Sequence, residues 1–346
     1  MSDVQSGAGQ DPQAGDDKPR PRLGFLGVSW IGQHRLKSIA EARRAEIVGL
    51  ADLNPGVVAA AALETPGADV RETLEDLLRM DIDGLVIATP TALHAAQAIA
   101  ALAANVAVFC QKPLGRTEKE TREVIAAARR ADRLLAVDMT YRFVRGVRKI
   151  KDLIAAGEIG EVYAMDLVFH NAYGPDKPWY YDPELAGGGC VIDLGIHLID
   201  MALWMSGSEI TGVSSRLFAQ GKRIRRADER LEDYAALRLD LASGATANVA
   251  CSWHLPAGRD AVIRASFYGT KGGLTVTNVN GSFYDFSAEQ FSGTERKTLD
   301  EPPDSWGGRA VVAWAERLAA SAAFDPEIES AARVARVIDA IYAGDD

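Results

Sequence analysis

The run GGGCVIDLGIHLID, residues 187–200, sets a carboxylate and an imidazole four residues apart in an otherwise apolar stretch. On a helix, positions i and i+4 are neighbours, about 5–6 Å apart at Cβ, so Asp193 and His197 point the same way. A histidine titrates near working pH, which suits proton transfer. The three preceding glycines allow backbone or a ligand to approach closely. By itself the pair fits a core histidine held by a nearby carboxylate equally well.

A second constellation sits at GFLGVSWIG. Read as G-x-G-x-x-G it places Gly27, Ser29 and Gly32, with Trp30 and Ile31 between the last two. Serine thus holds the position where the backbone of such turns approaches a pyrophosphate. The motif lies between a strand pattern and a helix pattern, where a helix N-terminus can receive phosphate. Asp52, followed by Leu53, comes about twenty residues later at the end of the next strand. A carboxylate there suits the ribose hydroxyls of NAD and repels the 2′-phosphate of NADP. NAD is therefore expected over NADP, with Arg35 and Arg71 as cations that could reverse the preference. A tight strand-to-helix turn without a ligand is the bland reading of this fingerprint alone.

These groups need a scaffold, and the chain is long enough for two. At 346 residues it exceeds the size at which a single core usually keeps growing. A net charge of −10 argues against a general nucleic-acid binder; the basic cluster GKRIRRADER, residues 221–230, reads as a solvated loop or strand end. Three dispersed cysteines without CxxC spacing indicate neither a disulfide framework nor a zinc site, so no metal is expected and a reduced, cytoplasmic setting fits. No apolar run reaches the roughly 20 residues of a membrane span. The opening residues have no apolar h-region, and 1–21 read as a flexible tail.

From Leu23 to Tyr141, continuously apolar strands alternate with amphipathic helices: RLGFLGV, WIGQHRLKSIAEA, AEIVGLAD, PGVVAAAALE, then TLEDLLRM, DGLVIATP and onward to RLLAVDMTY. This specifies a doubly wound parallel sheet covered on both faces, with ligands at the strands' carboxyl ends. After Phe143 comes a helix, RGVRKIKDLIAAGEIG, then β-rich segments joined by ASG, GTKGG and VNGS turns, then two closing helices. They predict a large, open, mostly antiparallel sheet in an α+β domain. The boundaries are 22–142 for the Rossmann domain and 143–346 for the substrate and oligomerisation domain, with the active site between them.

Three more segments complete the pattern. VIATPTALHAAQAIAALAANVAVFCQKPLGRTEKE resembles the TP…H…EKP block of the glucose-fructose oxidoreductase, inositol dehydrogenase and MocA family. VDMTYRF is similar to that family's domain-crossing segment, and GGGCVIDLGIHLIDMALWMSG to its D-x-x-x-H helix. The resemblance runs from Leu23 to about Gly344. It implies a nicotinamide cofactor, a sugar or cyclitol substrate, and dimers or tetramers. It carries over Lys112, Asp193 and His197 as the catalytic group, Thr89, Pro90 and His94 near the cofactor, and Arg142 near the domain junction. Gln111 stands where the family has glutamate, and Ser29 where it has glycine; both departures bear on cofactor binding.

Hydride transfer from a secondary alcohol requires loss of the hydroxyl proton. His197 is the expected general base in oxidation and acid in reduction, a role worth roughly 10²–10⁴-fold. The Lys112 ammonium would stabilise alkoxide charge on the same oxygen and disfavour imidazolium at His197. Asp193 would bind a substrate hydroxyl and balance that charge, while Asp200 reads as packing. His170, Asn171 and Tyr173, with Trp179 and Tyr180, are expected walls of a carbohydrate pocket; Trp253 and His254 end another strand and fit wall or packing. Two alternatives share the scaffold: an NAD-dependent glycoside-cleaving enzyme that oxidises its sugar transiently, and a non-catalytic nucleotide- or sugar-sensing regulator.

Overall fold

The computed structural model describes residues 20–225 and 230–344. Nearly all of the expected tail, and the middle of the basic cluster at 221–230, lie outside the described residues.

The first unit alternates β1 (Arg22–Leu26), α1 (Trp30–Ala42), β2 (Glu46–Ala51), α2 (Pro55–Glu64), β3 (Asp69–Arg71), α3 (Leu74–Leu78), β4 (Gly84–Ile87), α4 (Thr91–Ala103), β5 (Ala107–Cys110), α5 (Glu118–Ala131) and β6 (Leu135–Val137). The six strands are parallel in the order β3-β2-β1-β4-β5-β6. Every residue of β4 and β5 is buried, as a sheet covered on both faces requires. Side-chain caps start α2 and α3: Asn54 accepts from the amides of Gly56 and Val57, and Thr73 from that of Asp76. The strand order reverses between β1 and β4, which opens a crevice at their carboxyl ends. The short edge strand β3 was not expected; three largely exposed residues carry no apolar pattern.

The second unit comprises α6 (Arg145–Ala155), β7 (Val162–Asn171), α7 (Pro183–Ala186), a π-helical turn (Val191–Gly195) running into α8 (Ile196–Ser206), and strands β8 (Ile210–Ala219), β9 (Lys222–Ile224), β10 (Tyr234–Leu241), β11 (Thr246–Ser252), β12 (Ala261–Gly269), β13 (Gly272–Asn278), β14 (Phe286–Ser292) and β15 (Glu295–Asp300). They form one nine-stranded sheet, β15-β14-β13-β12-β7-β11-β10-β8-β9, antiparallel except for the β7–β11 pair. Alternation along β7 buries Met165, Leu167 and Phe169 on one face and leaves Ala164, Asp166 and Val168 on the other. The three cysteines are free, buried thiols.

Two findings revise the sequence reading. The segment Pro183–Ser206, 24 residues, is long and apolar enough by composition to cross a membrane, contrary to the expectation that no run is; 83% of its apolar window is buried inside the protein, where α8 packs against β7 and α10. The division at residue 142 separates the two sheets but not the helices. The closing helix α9 (Arg309–Ala320) returns to the first sheet: Val311, Trp314 and Leu318 share a core with Phe25, Leu50 and Phe109. The start of α10 (Glu329–Ala343) joins the other face of that sheet through Ala331 and Ala332, while Val337 and Ile341 belong to the second core.

The Trp314 ring lies 5.7 Å from that of Phe109, and a Cβ on Gly84 would fall 2.6 Å from it. Removing so large a buried group leaves a cavity that a sheet cannot close. Trp314→Ala should cost about 3–5 kcal/mol, read as a lowered urea midpoint; a midpoint within error of the parent would show that α9 is dispensable to the first unit.

Candidate active site

A cleft of about 1520 Å³ runs between the two units along the carboxyl ends of β1, β2, β4 and β5. Gly27, Ser29, Trp30, Ile31, Asp52, Leu53, Thr89, Pro90, His94, Gln111 and Lys112 line it on the first unit, and Asn171, Tyr173, Trp179, Tyr180, Asp193 and His197 on the second. Its volume exceeds that of an ordinary single-ligand pocket and leaves room for a dinucleotide beside a smaller molecule.

The cofactor end follows from the β1–α1 turn. Gly27 has φ +85°, and a Cβ there would meet the Ala88 carbonyl at 2.6 Å. Gly32 is held for packing, since its Cβ would fall 2.0 Å from the Gly27 carbonyl oxygen, and it does not line the cleft. Ser29 has extended backbone at the N-cap of α1 and no side-chain capping bond, so the helix N-terminus faces the cleft unblocked. The Asp52 carboxylate accepts from the amides of Val28 (2.8 Å) and Asn54 (2.9 Å), which fixes it beside the turn. Leu53 next to it is almost fully exposed. His94 is buried, its ring nitrogens 2.8 and 2.7 Å from the carbonyls of Thr89 and Pro113, so it ties the TP turn to the residue after Lys112.

Beneath this end lies a buried charge cluster. Asp138, 1% exposed, accepts on Oδ2 from Arg35 Nε and from Gln111 Nε2, both at 2.6 Å. Its Oδ1 is buried without a partner among the described residues. The turn with no room for a Cβ, the unblocked helix N-terminus, Asp52 and this orphaned oxygen fit a dinucleotide. Arg35 is thereby occupied, and Arg71 pairs with Asp69 and does not line the cleft.

At the other end, Lys112 Nζ donates to the Asp193 main-chain carbonyl (2.6 Å) and to its Oδ1 (2.8 Å). Trp253 Nε1 donates to Oδ2 (3.0 Å). Asp193 lies in the π-helical turn, whose wider i→i+5 turn replaces the regular i,i+4 geometry expected for Asp193 and His197. His197 is 8% exposed, with the Tyr141 ring at 4.8 Å and no hydrogen bond to its imidazole among the described residues. Burial holds its pKa well below the usual histidine range, and the charges of Lys112 and Arg35 lower it further. It lines the cleft in surroundings that favour the neutral ring.

Residues 22–139 match an oxidoreductase family with an NAD-binding Rossmann fold, and residues 147–275 match the GFO/IDH/MocA C-terminal domain. The rhizopine catabolism protein MocA of Rhizobium meliloti is 30% identical over 242 residues, 69% of this chain and 73% of that protein. The chain belongs to the GFO/IDH/MocA oxidoreductase family. An oxidoreductase of Bacillus subtilis, YrbE, is 29% identical over 275 residues, 78% of this chain and 77% of that one. Levoglucosan dehydrogenase, solved with NADH and levoglucosan, shares the fold with a TM-score of 0.80 at 22% identity, covering 93% of this chain and 96% of that one.

Within this family frame, the structure moves several residues from their expected places. His170 does not line the cleft. Successive residues of a strand face opposite ways, so Phe169 and Asn171 face the cleft and His170 the open face of the sheet. There it bonds Ser252 Oγ (2.8 Å) and stacks on Tyr234, its neighbours across β11 and β10. Arg142 does not line the cleft either; both its Nε and Nη2 donate to Asp200, and Trp204 lies under its guanidinium. Asp200, read as packing, is one half of that ion pair. Asn171 accepts the Tyr173 amide, and Tyr173 donates its hydroxyl to Asp260. Trp179 and Tyr180 stack at 3.8 Å in the cleft wall, whereas His254 lies outside it. Tyr141, Trp253 and the Arg35–Asp138–Gln111 cluster were not foreseen in these roles, since their partners lie tens of residues away.

A glutamate at 111 would set a second carboxylate against Asp138 with one guanidinium to serve both, and like charges that close disfavour joint ionisation. Gln111→Glu should lower the melting temperature by about 5 °C, and adding Asp138→Asn should recover most of the loss. A melting temperature unmoved by the single change would contradict a charged Asp138 at this position.

Proposed function

We propose that the protein is an NAD-dependent dehydrogenase or reductase acting on a secondary alcohol or ketone of a neutral carbohydrate or cyclitol. The observation that carries this reading is the placement, in one cleft, of a tethered lysine and an imidazole with no hydrogen-bond partner among the described residues. Lys112 spends two N–H groups on Asp193, and its third is available to a substrate oxygen. That ammonium binds the carbinol oxygen and stabilises negative charge on it as the proton leaves. His197 removes the proton in oxidation and returns it in reduction. Asp193 balances the lysine charge and, held by Trp253, keeps the ammonium from turning away; its remaining lone pairs can accept a substrate hydroxyl. Nicotinamide, when bound, supplies the hydride acceptor or donor.

Gly27, Ser29, Trp30, Ile31, Asp52, Thr89 and Pro90 would hold the dinucleotide. NAD is favoured over NADP because Asp52, fixed beside the glycine turn, would accept from ribose hydroxyls and repel a 2′-phosphate, while Arg35 and Arg71 are committed to carboxylates. The aromatic wall of Trp179, Tyr180, Tyr284 and Trp306 suits the faces of a sugar ring. Besides Lys112, the cleft lining among the described residues holds Arg35 and Lys177, each beside a carboxylate, which favours an uncharged substrate. The open face of the second sheet, where Arg238, Asn248, Arg264 and Tyr268 are exposed, is the surface we assign to homodimer or homotetramer contacts.

A panel of sugars, glycosides and cyclitols with NAD or NADP, followed by nicotinamide absorbance and product analysis, tests the reaction. An oxidised intact ring supports the reading; release of an aglycone would replace it with glycoside cleavage. On the active substrate, Lys112→Ala and His197→Ala should each lower turnover at least about 100-fold with NADH affinity nearly unchanged. Near-parental turnover in either variant would overturn the assignment.

A further inference from the structure

The helical run bearing Asp193 and His197 begins at Cys190, and its first amides have no partners within the helix. One residue, 42 positions away from Cys190 in sequence, meets the amides of Cys190 and Val191 and that of Gly189 just before them. Glu232 Oε1 accepts from the amides of Gly189 and Val191, each at 3.0 Å, and its main-chain carbonyl accepts from that of Cys190, also at 3.0 Å. The same Oε1 accepts from the Tyr342 hydroxyl at 2.8 Å, from the last turn of α10. Glu232 is 2% exposed, and nothing in the reaction proposed above uses it.

Two of the three glycines of GGGC are shaped around this anchor, while the first packs against Arg116 and Ile192. Gly187 has φ +83°. A Cβ on Gly188 would fall 2.1 Å from the Tyr342 hydroxyl oxygen, and a Cβ on Gly189 would fall 2.1 Å from the Glu232 carbonyl oxygen. The next residue, Asp233, accepts the Trp253 amide through its carbonyl at 2.7 Å, while the Trp253 indole holds Asp193. Thus one two-residue stretch ahead of β10 sets both the start of the helix and the strand end that grips its carboxylate. Burying a carboxylate costs free energy that the hydrogen bonds it accepts offset, and a negative group at a helix N-terminus recovers part of that cost.

We propose that Glu232 is a positioning residue for the reaction, setting the axial place of the π-helical turn and hence where Asp193 and Lys112 meet beside His197, with Tyr342 as its partner. This rests on the catalytic roles proposed above. Misplacement of a reacting group by about 1 Å can cost about 100-fold in rate, so loss of the anchor acts on turnover more than on cofactor binding.

The test compares Glu232→Ala, Glu232→Gln, Tyr342→Phe and His197→Ala in the full chain, by kcat, KM, NADH affinity and amide hydrogen exchange. Glu232→Ala should lower kcat at least about tenfold with NADH affinity within about twofold. Glu232→Gln keeps the accepting oxygen and should return kcat to within about threefold of the parent. Tyr342→Phe should speed exchange of the amides at 189 and 191 several-fold, an outcome that stands even where Glu232→Ala does not fold. A parental kcat in Glu232→Ala, a Glu232→Gln variant as slow as a folded Glu232→Ala variant, or unchanged exchange in Tyr342→Phe would overturn the proposal. If His197→Ala keeps turnover, the catalytic reading itself fails; if only the Glu232 and Tyr342 variants are silent, the positioning role alone falls.

Discussion

The contact between the Lys112 ammonium and Asp193 is the interaction on which the site depends. Lys112 follows β5 of the parallel sheet, whereas Asp193 belongs to the helical run packed on the antiparallel sheet, so the bond spans the two units. Both side chains are mostly buried, at 16% and 15% exposure. A partly desolvated ion pair is poor evidence for stability. Its value here is geometric: the main-chain carbonyl and the carboxylate together fix the direction of the ammonium. Trp253 fixes the carboxylate in turn.

The imidazole in the same cleft is controlled by burial and by two cations, one of them from this pair. Desolvation alone favours a neutral ring, and the cations Lys112 and Arg35 add to it. Arg35 does so while neutralised in part by Asp138, in a cluster where Gln111 donates instead of competing. The two departures from the family pattern therefore have different physical settings. Gln111 belongs to a rearranged charge cluster. Ser29 simply occupies an open N-cap position, where its extended backbone asks for no positive φ.

Much of this was legible in the sequence because it was local. α1 and α2 occupy the residues that their patterns mark, and the glycine turn and Asp52 sit at the ends of adjacent parallel strands. Lys112, Asp193 and His197 were read by resemblance, and the fold brings them to one cleft. What escaped was whatever depended on a distant partner or a change of pitch. His170 was assigned to the cleft though the strand period turns it to the other face. Arg142 stands near the domain junction as the resemblance implies, but its ion pair with Asp200, 58 residues on, has no local sign in the sequence. The π-helical turn has no marker in a run of apolar residues. The return of α9 to the first sheet is likewise invisible to a boundary drawn from strand pattern alone.

His197 is held toward its neutral form partly by a neighbouring ammonium, and the pH dependence of kcat/KM for alcohol oxidation reports the ionisation of groups in the free enzyme. A base held below the usual histidine range predicts an acidic limb centred below pH 6.5. In Lys112→Met, where the lowering charge is gone, the limb of the residual activity should move to higher pH. An acidic limb at or above the ordinary histidine value, or one that stays in place when Lys112 loses its charge, would contradict the account.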